Sequence, residues 1–209
     1  SGKGLVIKIG VLELQGDFAL HHLILQKIGV RSIKVKKPLH LDGIDGLVIP
    51  GGESTTMSNL IETFKLREGL IDFSDSFPIM GTCAGTILMS NKVIDDDKIN
   101  PLRLVDFSIE RNAYGRQIES GTEDVQFKFS HKIIQNLPAT FIRAPRIKKL
   151  SGDFRVIGTL NDDPVAFISG NKLCLTFHPE LDQIDTFHRI LFDPLSDVYY
   201  KKVGQKHFA

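Results

Sequence analysis

This 209-residue sequence has only two cysteines, no long apolar run and almost no excess of either charge. The two cysteines, Cys83 and Cys174, are too few for a disulfide framework. We therefore expect free thiols in an intracellular chain, with a single bridge between them as the alternative. Because no apolar run reaches a membrane span and no secretory signal opens the sequence, we predict a cytoplasmic protein with no membrane partner. A net charge of +1, without basic runs between aromatics, argues against nucleic acid as a partner.

The composition that is present suits one globular domain. A hydrophobic content of 42% is ordinary for a packed core, and 24% charged residues argue against broad disorder. No internal repeat and no linker interrupts the sequence, so we predict a single domain over residues 1–209. Residues 1–4 are interpreted as an expression remnant or a disordered N-terminus.

The order of apolar runs and helical patterns predicts the fold. Strand-like runs at 5–14, 32–35 and 46–49 alternate with helices, one capped by Asp17 and one running from Ser54 to about residue 70. This alternation predicts an α/β fold with a doubly wound, mostly parallel sheet and helices on both faces. After residue 92, strand-like segments without helices predict a hairpin-rich antiparallel edge. A last helix over 184–192, capped by Asp182 or Asp185, precedes a tail that we expect to be frayed from Lys201.

Cys83 lies between an apolar strand-like run and an apolar helical run, among the small residues Gly81, Ala84 and Gly85. Small neighbours let the backbone bend sharply and let a substrate approach. A thiol at the start of a helix meets the positive end of the helix dipole, which favours the thiolate. The pattern predicts a nucleophile elbow with cysteine as the nucleophile. A buried structural cysteine is the alternative.

His178 is the histidine whose context indicates a general base. Pro179 favours extended geometry at His178, and residues two apart in an extended segment point to the same side. Glu180 could therefore orient the imidazole and stabilise its protonated form. Cys83, His178 and Glu180 would then be nucleophile, base and orienting carboxylate, unless the His-Pro-Glu segment is only a turn that ends a strand.

Gly51 and Gly52 follow the third strand-like run. Adjacent glycines can present backbone N–H groups into a cleft, and with the amide of Ala84 they would form an oxyanion hole. A phosphate-binding loop or a plain turn is the alternative, but the lysine of a P-loop is missing. The combined groups predict acyl transfer through a thioester, with no metal site. The acidic loop at 95–97 is interpreted as a solvated turn.

Five short segments of the sequence, here called islands, resemble the motifs of a known protein family. They are residues 10–16, 50–56, 81–85 and 111–117, and 141–145 together with 177–181. The chain resembles the class I (triad) glutamine amidotransferases, with their Gly-x-Cys-x-Gly elbow and His-Pro-Glu motif. Within that class it is most similar to the glutaminase subunits of pyridoxal 5′-phosphate synthase, the PdxT/SNO family. The islands run in the family's order across nearly the whole chain.

The resemblance implies that Cys83 attacks the carboxamide of L-glutamine and that ammonia passes to a separate barrel-shaped synthase subunit. It implies no internal cofactor, because pyridoxal phosphate is made on that partner. It also implies a set of glutamine-binding residues: Gly52, Glu53, Ser54, Arg111, Ile142 and Arg143. From the residues alone, Arg111, Arg116 and Arg143 could equally form surface ion pairs.

Two positions depart from the family pattern. His21 and His22 replace the usual Glu-His pair in the first helix, which implies an altered partner interface or an ordinary helix surface. Gly121 replaces a customary aromatic beside the Arg-rich loop. Two alternative functions remain: another cysteine hydrolase of this fold, such as a peptidase, and a non-catalytic regulatory or scaffold subunit.

Overall fold

A large mixed sheet forms the centre of the computed structural model, which describes residues 6–111 and 120–205. The strands are β1 Lys8–Leu12, β2 Arg31–Val35, β3 Gly46–Ile49, β4 Ile79–Thr82, β5 Lys92–Val93, β6 Phe107–Glu110, β7 Ser120–Lys128, β8 Ile134–Ile142, β9 Arg146–Leu150, β10 Arg155–Leu160, β11 Asp163–Ser169 and β12 Lys172–Leu175. Across the described residues, nine strands form the main sheet in the order β2-β1-β3-β4-β12-β11-β10-β7-β8. The first five strands are parallel, and the rest pair antiparallel as a chain of hairpins. Strands β5, β6 and β9 form a second, smaller sheet.

Helices cover both faces of the parallel half. They are α1 Ala19–Lys27, α2 Ser54–Thr63, α3 Arg67–Ser74, α4 Ala84–Met89, α5 Thr186–Phe192 and α6 Tyr200–Gln205, with short 3-10 helices at Pro38–Leu41 and Pro179–Asp182. One apolar core joins the sheet to α2, α3 and α4, and the other joins it to α1 and α5. In β3, Leu47 and Ile49 enter the first core and Val48 the second, because successive side chains of a strand point to opposite faces. The predicted α/β fold is confirmed.

Several predicted element ends are wrong. The helix expected from Ser54 to about residue 70 is two helices, because Lys65 adopts a left-handed φ of 54° between α2 and α3. Asp17 does not cap α1: the N-cap position is Phe18, and no side chain caps that helix. Asp185 stands at the N-cap position of α5, but its carboxylate accepts no backbone N–H of that helix and accepts instead from Arg189. Part of the tail that was expected to be frayed is helix α6.

The carboxyl ends of three adjacent parallel strands bring the predicted site together. Gly51 follows β3, Cys83 follows β4 and His178 follows β12, and these strands are neighbours in the sheet. In open α/β sheets this edge is where ligands bind. None of the helices described in the two ranges is long and apolar enough to cross a membrane. Residues 1–4, interpreted above as a remnant, lie outside those ranges.

Candidate active site

Cys83 forms a strained turn between β4 and α4. Its backbone has φ 50° and ψ −108°, a conformation that a residue with a side chain rarely adopts. The turn is fixed on both sides: the Cys83 N–H donates to the carbonyl oxygen of Leu175 at 2.9 Å, and the Cys83 carbonyl accepts from the N–H of Thr86 at 3.0 Å. Strain of this kind concentrates at functional sites, and here it presents the thiol at the end of the strand.

Glycines make the elbow possible because the chain passes so close to its neighbours. A Cβ on Gly85 would lie 1.9 Å from the carbonyl oxygen of Ile49, at the end of β3. A Cβ on Gly81 would lie 2.6 Å from the sulfur of Met89. Neither distance can accommodate a methyl group, so the first turn of α4 packs directly against the end of the adjacent strand only with glycine at these positions.

His178 and Glu180 form a buried pair. The Nδ1 atom of His178 lies 2.7 Å from Oε1 of Glu180, and both side chains are almost inaccessible to solvent. The backbone N–H of His178 donates to the carbonyl oxygen of Thr140 at 2.9 Å, which ties the segment to β8. Burial lowers the pKa of His178, but hydrogen bonds to Cys83 and Glu180, together with their negative charges, raise it to about 10.

Because a hydrogen bond to Cys83 is among the causes of that shift, Cys83, His178 and Glu180 form one connected series of side chains. The hydrogen bonds to Cys83 and Glu180 both favour the protonated imidazole of His178, which lies between the thiol and the carboxylate. The Cys83 sulfur also lies 3.7 Å from the carbonyl oxygen of Ile142. Cys174, by contrast, is a fully buried free thiol whose pKa burial raises far above its ordinary value, so it suits a structural role. The cysteines are not bridged.

The glycine pair after β3 packs against the base and against the chain after β1. A Cβ on Gly51 would lie 2.4 Å from Cε1 of His178. A Cβ on Gly52 would lie equally close, 2.4 Å, to the side-chain oxygen of Gln15. This oxygen accepts a hydrogen bond from the N–H of Glu53 at 2.7 Å. Gln15 lies in the first island, and its contact with this loop was not predicted; no signal other than the resemblance points to it.

A cleft of about 540 Å³ opens over the thiol. Its lining is Asp17, Gly52, Glu53, Ser54, Cys83, Ala84, Ile87, Arg111, Ser120, Ile142, Arg143 and His178. Nine of these were predicted as site residues. The other two predicted residues do not line the cleft but contact His178: Gly51 packs against its ring, and Glu180 binds its Nδ1 atom. A volume of this order suits a small molecule. The described residues contain no group of three or more ligating side chains that could bind a metal ion.

Comparison with known proteins identifies the family. A model of the SNO glutamine amidotransferase family matches residues 11–193. The chain belongs to this family.

Individual SNO relatives match over nearly their full length. The pyridoxal 5′-phosphate synthase subunit PdxT of Thermosipho africanus is 43% identical over 183 residues, covering 87% of this chain and 95% of the relative. The PdxT subunit of Solibacter usitatus is 40% identical over 191 residues, covering 90% and 99%. A crystal structure of a glutamine amidotransferase superposes with a TM-score of 0.81 at 34% identity, covering 88% of this chain and 96% of its own. The resemblance drawn from the five islands is confirmed.

Arg111 of this SNO protein is anchored by carboxylates at the rim of the cleft. Its guanidinium binds Glu53, lies 2.7 Å from Oδ2 of Asp96 and donates to the hydroxyl of Thr55 at 2.6 Å. The acidic loop is thus not merely a solvated turn, since Asp96 positions Arg111 and Asp95 accepts from the Arg111 backbone N–H at 2.9 Å. Burial would raise the pKa of Glu53, but bonds from Thr56 and Arg111 lower it.

The remaining predicted residues of the SNO site divide between the cleft and the undescribed segment. Ile142 and Arg143 both line the cleft, and Arg143 has a left-handed φ of 46°. The rest of the Arg-rich island, 112–117, lies outside the described residues, and so does Arg116. Gly121 lies in β7, and nothing lies within 4 Å of where a Cβ on it would be.

The first-helix departure is not a surface feature at His21. That side chain is fully buried, whereas His22 is partly exposed and lies 2.6 Å from the Glu13 carboxylate. An ordinary helix surface is therefore the wrong interpretation for His21. Its position three and four residues before Ile24 and Leu25 puts it on the apolar face of α1, and this spacing could have revealed it.

Proposed function

We propose that this chain is the glutaminase subunit of a pyridoxal 5′-phosphate synthase, in which it hydrolyses L-glutamine to L-glutamate and ammonia. The observation that carries the proposal is the buried Cys83–His178–Glu180 series at the base of the cleft, in a chain 43% identical to a PdxT subunit. The thiol, imidazole and carboxylate have the order and contacts that nucleophilic acyl transfer requires.

The first half-reaction begins from the thiolate–imidazolium pair. The Cys83 sulfur attacks the carboxamide carbon of glutamine, and the amide oxygen takes the negative charge of the tetrahedral intermediate. When the C–N bond breaks, the imidazolium of His178 gives its proton to the leaving nitrogen, which departs as ammonia. A glutamyl thioester and a neutral imidazole remain. Glu180 stabilises the imidazolium before this transfer and keeps Nε2 directed at the reacting atoms.

The second half-reaction releases glutamate. Water attacks the thioester carbon while His178 takes one of its protons, so that the C–S bond breaks and the thiolate–imidazolium pair returns. The oxyanion donors in both halves are the backbone N–H groups of Gly52 and Ala84, which line the cleft with Cys83, while the predicted third residue, Gly51, packs against the imidazole of His178.

Glutamine is recognised by the cleft rim. Gly52, Glu53 and Ser54 lie on one side of the thiol, and Ile142 and Arg143 on the other. The α-ammonium and α-carboxylate of the substrate complement a carboxylate and a guanidinium, respectively. Arg111 is held by Glu53, Asp96 and Thr55, so it supplies a fixed positive charge at the rim.

The ammonia acceptor in this proposal is a separate, barrel-shaped synthase subunit. Pyridoxal phosphate forms on that subunit, so this chain needs no cofactor of its own. We further propose that residues 1–209 form one glutaminase domain and act in the cytoplasm, apart from nucleic acid and membranes.

The test is glutamate release from glutamine, measured with and without the synthase subunit. We expect turnover that increases with the partner and disappears in Cys83→Ala. Turnover that survives in Cys83→Ala would reject the thioester mechanism. Peptide hydrolysis without glutamine hydrolysis would favour the alternative of a different cysteine hydrolase, and an unreactive Cys83 toward a glutamine-analogue electrophile would favour a non-catalytic subunit.

A further inference from the structure

Two buried imidazoles continue the series of side chains beyond Glu180. His21 of α1 and His188 of α5 are both fully buried, and His21 Nδ1 lies 2.9 Å from His188 Nε2. On its other side, His21 Nε2 lies 3.5 Å from Oε2 of Glu180, the carboxylate oxygen that His178 does not bind. Among the described residues, neither that nitrogen nor that oxygen has another hydrogen-bond partner, so the 3.5 Å contact joins two buried polar atoms that are otherwise unsatisfied.

Burial makes both histidines neutral. It lowers the pKa of His21 to about 3, against the opposing charge of Glu180, and it lowers the pKa of His188 to about 3. A neutral imidazole has one N–H donor and one acceptor nitrogen, so the contact between the two rings needs one donor and one acceptor. Two arrangements satisfy it: His188 donates from Nε2 to His21, or His21 donates from Nδ1 to His188.

The second arrangement is unfavourable at both ends. If His21 carried its proton on Nδ1, its Nε2 lone pair would face the carboxylate of Glu180, and two electron-rich atoms would meet in a buried site. His188 would then carry its proton on Nδ1, where the described residues provide no acceptor. Burying a donor without an acceptor costs free energy, and so does a contact between two lone pairs. The first arrangement avoids both costs and is therefore favoured.

We propose that His21 is a positioning residue of the triad: its Nε2–H is directed at the second oxygen of Glu180, and His188 fixes this tautomer by donating from Nε2 to His21. Glu180 then lies between two imidazole N–H groups, one from His178 and one from His21. A carboxylate held from both sides cannot rotate away from His178, and a neutral second donor leaves its negative charge available to the imidazolium. The kinetic part of this proposal rests on the proposed glutaminase function.

The tautomers can be read directly from nitrogen-15 chemical shifts of the imidazoles in the full chain, with His21→Gln and His188→Gln spectra giving the assignments. We expect His21 and His188 both to show protonated Nε2 and unprotonated Nδ1 at neutral pH. A protonated Nδ1 on His21, or a doubly protonated ring, would overturn the proposal. This measurement does not involve glutamine, so its result is independent of whether the chain is a glutaminase.

Kinetics test the consequence with three substitutions on α1, assayed with the synthase subunit. His21→Leu removes the donor, and His21→Gln restores an N–H near the Nε2 position. Leu25→Ala is a matched control that disturbs the same helix at a buried apolar position without removing a polar group. We expect His21→Leu to lower kcat about tenfold with KM little changed, and His21→Gln to recover most of that loss. If His21→Leu and Leu25→Ala are equally stable and lose the same fraction of kcat, the positioning role is wrong while the glutaminase function stands. If wild type itself releases no glutamate while the tautomers are as expected, the proposed function is wrong instead.

Discussion

Gly51 packs against the imidazole of His178 so closely that a Cβ on Gly51 would lie 2.4 Å from Cε1 and 3.1 Å from Nδ1 of that ring. The loop after β3 and the general base after β12 therefore share one contact surface, although about 127 residues separate them in sequence. Because the imidazole is itself bound to Glu180, any side chain at position 51 must displace the base or the loop.

Gly51→Ala should therefore impair catalysis more than folding. We expect kcat for glutamate release to fall about a hundredfold, since displacing a catalytic group by about 1 Å can have an effect of this size. Gly121→Ala is the control, because nothing lies within 4 Å of a Cβ at that position. Equal activity of the two variants would show that the Gly51 contact is not needed for catalysis.

Strain at Cys83 makes an unusual order of stabilities testable. At φ 50° and ψ −108°, glycine is relaxed and alanine is strained, so Cys83→Gly should be more stable than Cys83→Ala by about 1 kcal/mol. At the exposed Asn59 in α2 the order should reverse, because alanine stabilises an ordinary helix by about 1 kcal/mol more than glycine does. Urea unfolding of the four variants measures both differences. The same order at both sites would mean that the elbow stores no backbone strain.

The local chemistry of the site could be predicted from sequence because each catalytic group comes with its own short signature. Small residues flank Cys83, a proline follows His178, and two glycines end β3. The strand ends then converge through the parallel order of the sheet, which alternation of strands and helices already indicates.

What could not be predicted are contacts between distant segments. The bond from Gln15 to the Glu53 backbone, the clamp of Asp96 on Arg111 and the approach of His188 to His21 each join separate elements. A side chain such as Asp17 has several possible partners within a turn of helix, and its placement at the cleft rather than at the cap depends on the packed structure. Long-range packing decides these choices, and local propensity does not.

Arg111→Lys should weaken glutamine binding more than turnover. Lysine keeps the positive charge but loses the planar fork that binds Glu53, Asp96 and Thr55 together, so the charge is no longer fixed at the rim. We expect KM for glutamine to rise about tenfold, with kcat changed less. Arg67→Lys is the matched control, since Arg67 is also paired with a carboxylate and with carbonyl oxygens but does not line the cleft. A larger effect on kcat than on KM would contradict the binding role.

Glu180→Gln should shift the alkaline limit of activity. The hydrogen bond and charge of Glu180 help to raise the pKa of His178 to about 10, so removing the charge lowers that pKa. Since the imidazolium supplies the proton to the leaving ammonia, the fall of kcat/KM at high pH should begin at a lower pH in the variant. At neutral pH we expect kcat to fall about a hundredfold or more. An unchanged alkaline limb would show that Glu180 does not tune the base.

Acid should destabilise the fold through His21 and His188. Their pKa values fall from 6.5 in the unfolded chain to about 3 in the folded one, so between these values the unfolded chain binds more protons. The free energy of unfolding should thus decrease as pH falls below 6.5, by about 1.4 kcal/mol per pH unit for each imidazole. His178 has the opposite shift, to about 10, so its contribution is complete below pH 6.5 and is lost only as pH rises toward 10.

Urea unfolding at pH 6.5, 5.5 and 4.5 separates the histidines from the carboxylates that titrate in the same range. His188→Gln removes one buried imidazole, so its stability should depend less steeply on pH than that of wild type, by about 1.4 kcal/mol per pH unit. Asn59→Ala, which removes no titratable group and lies at an exposed position, should keep the wild-type slope. If the three proteins lose stability in parallel, protonation of the buried pair does not contribute to acid unfolding, and at least one of the two rings is charged or accessible in the folded chain.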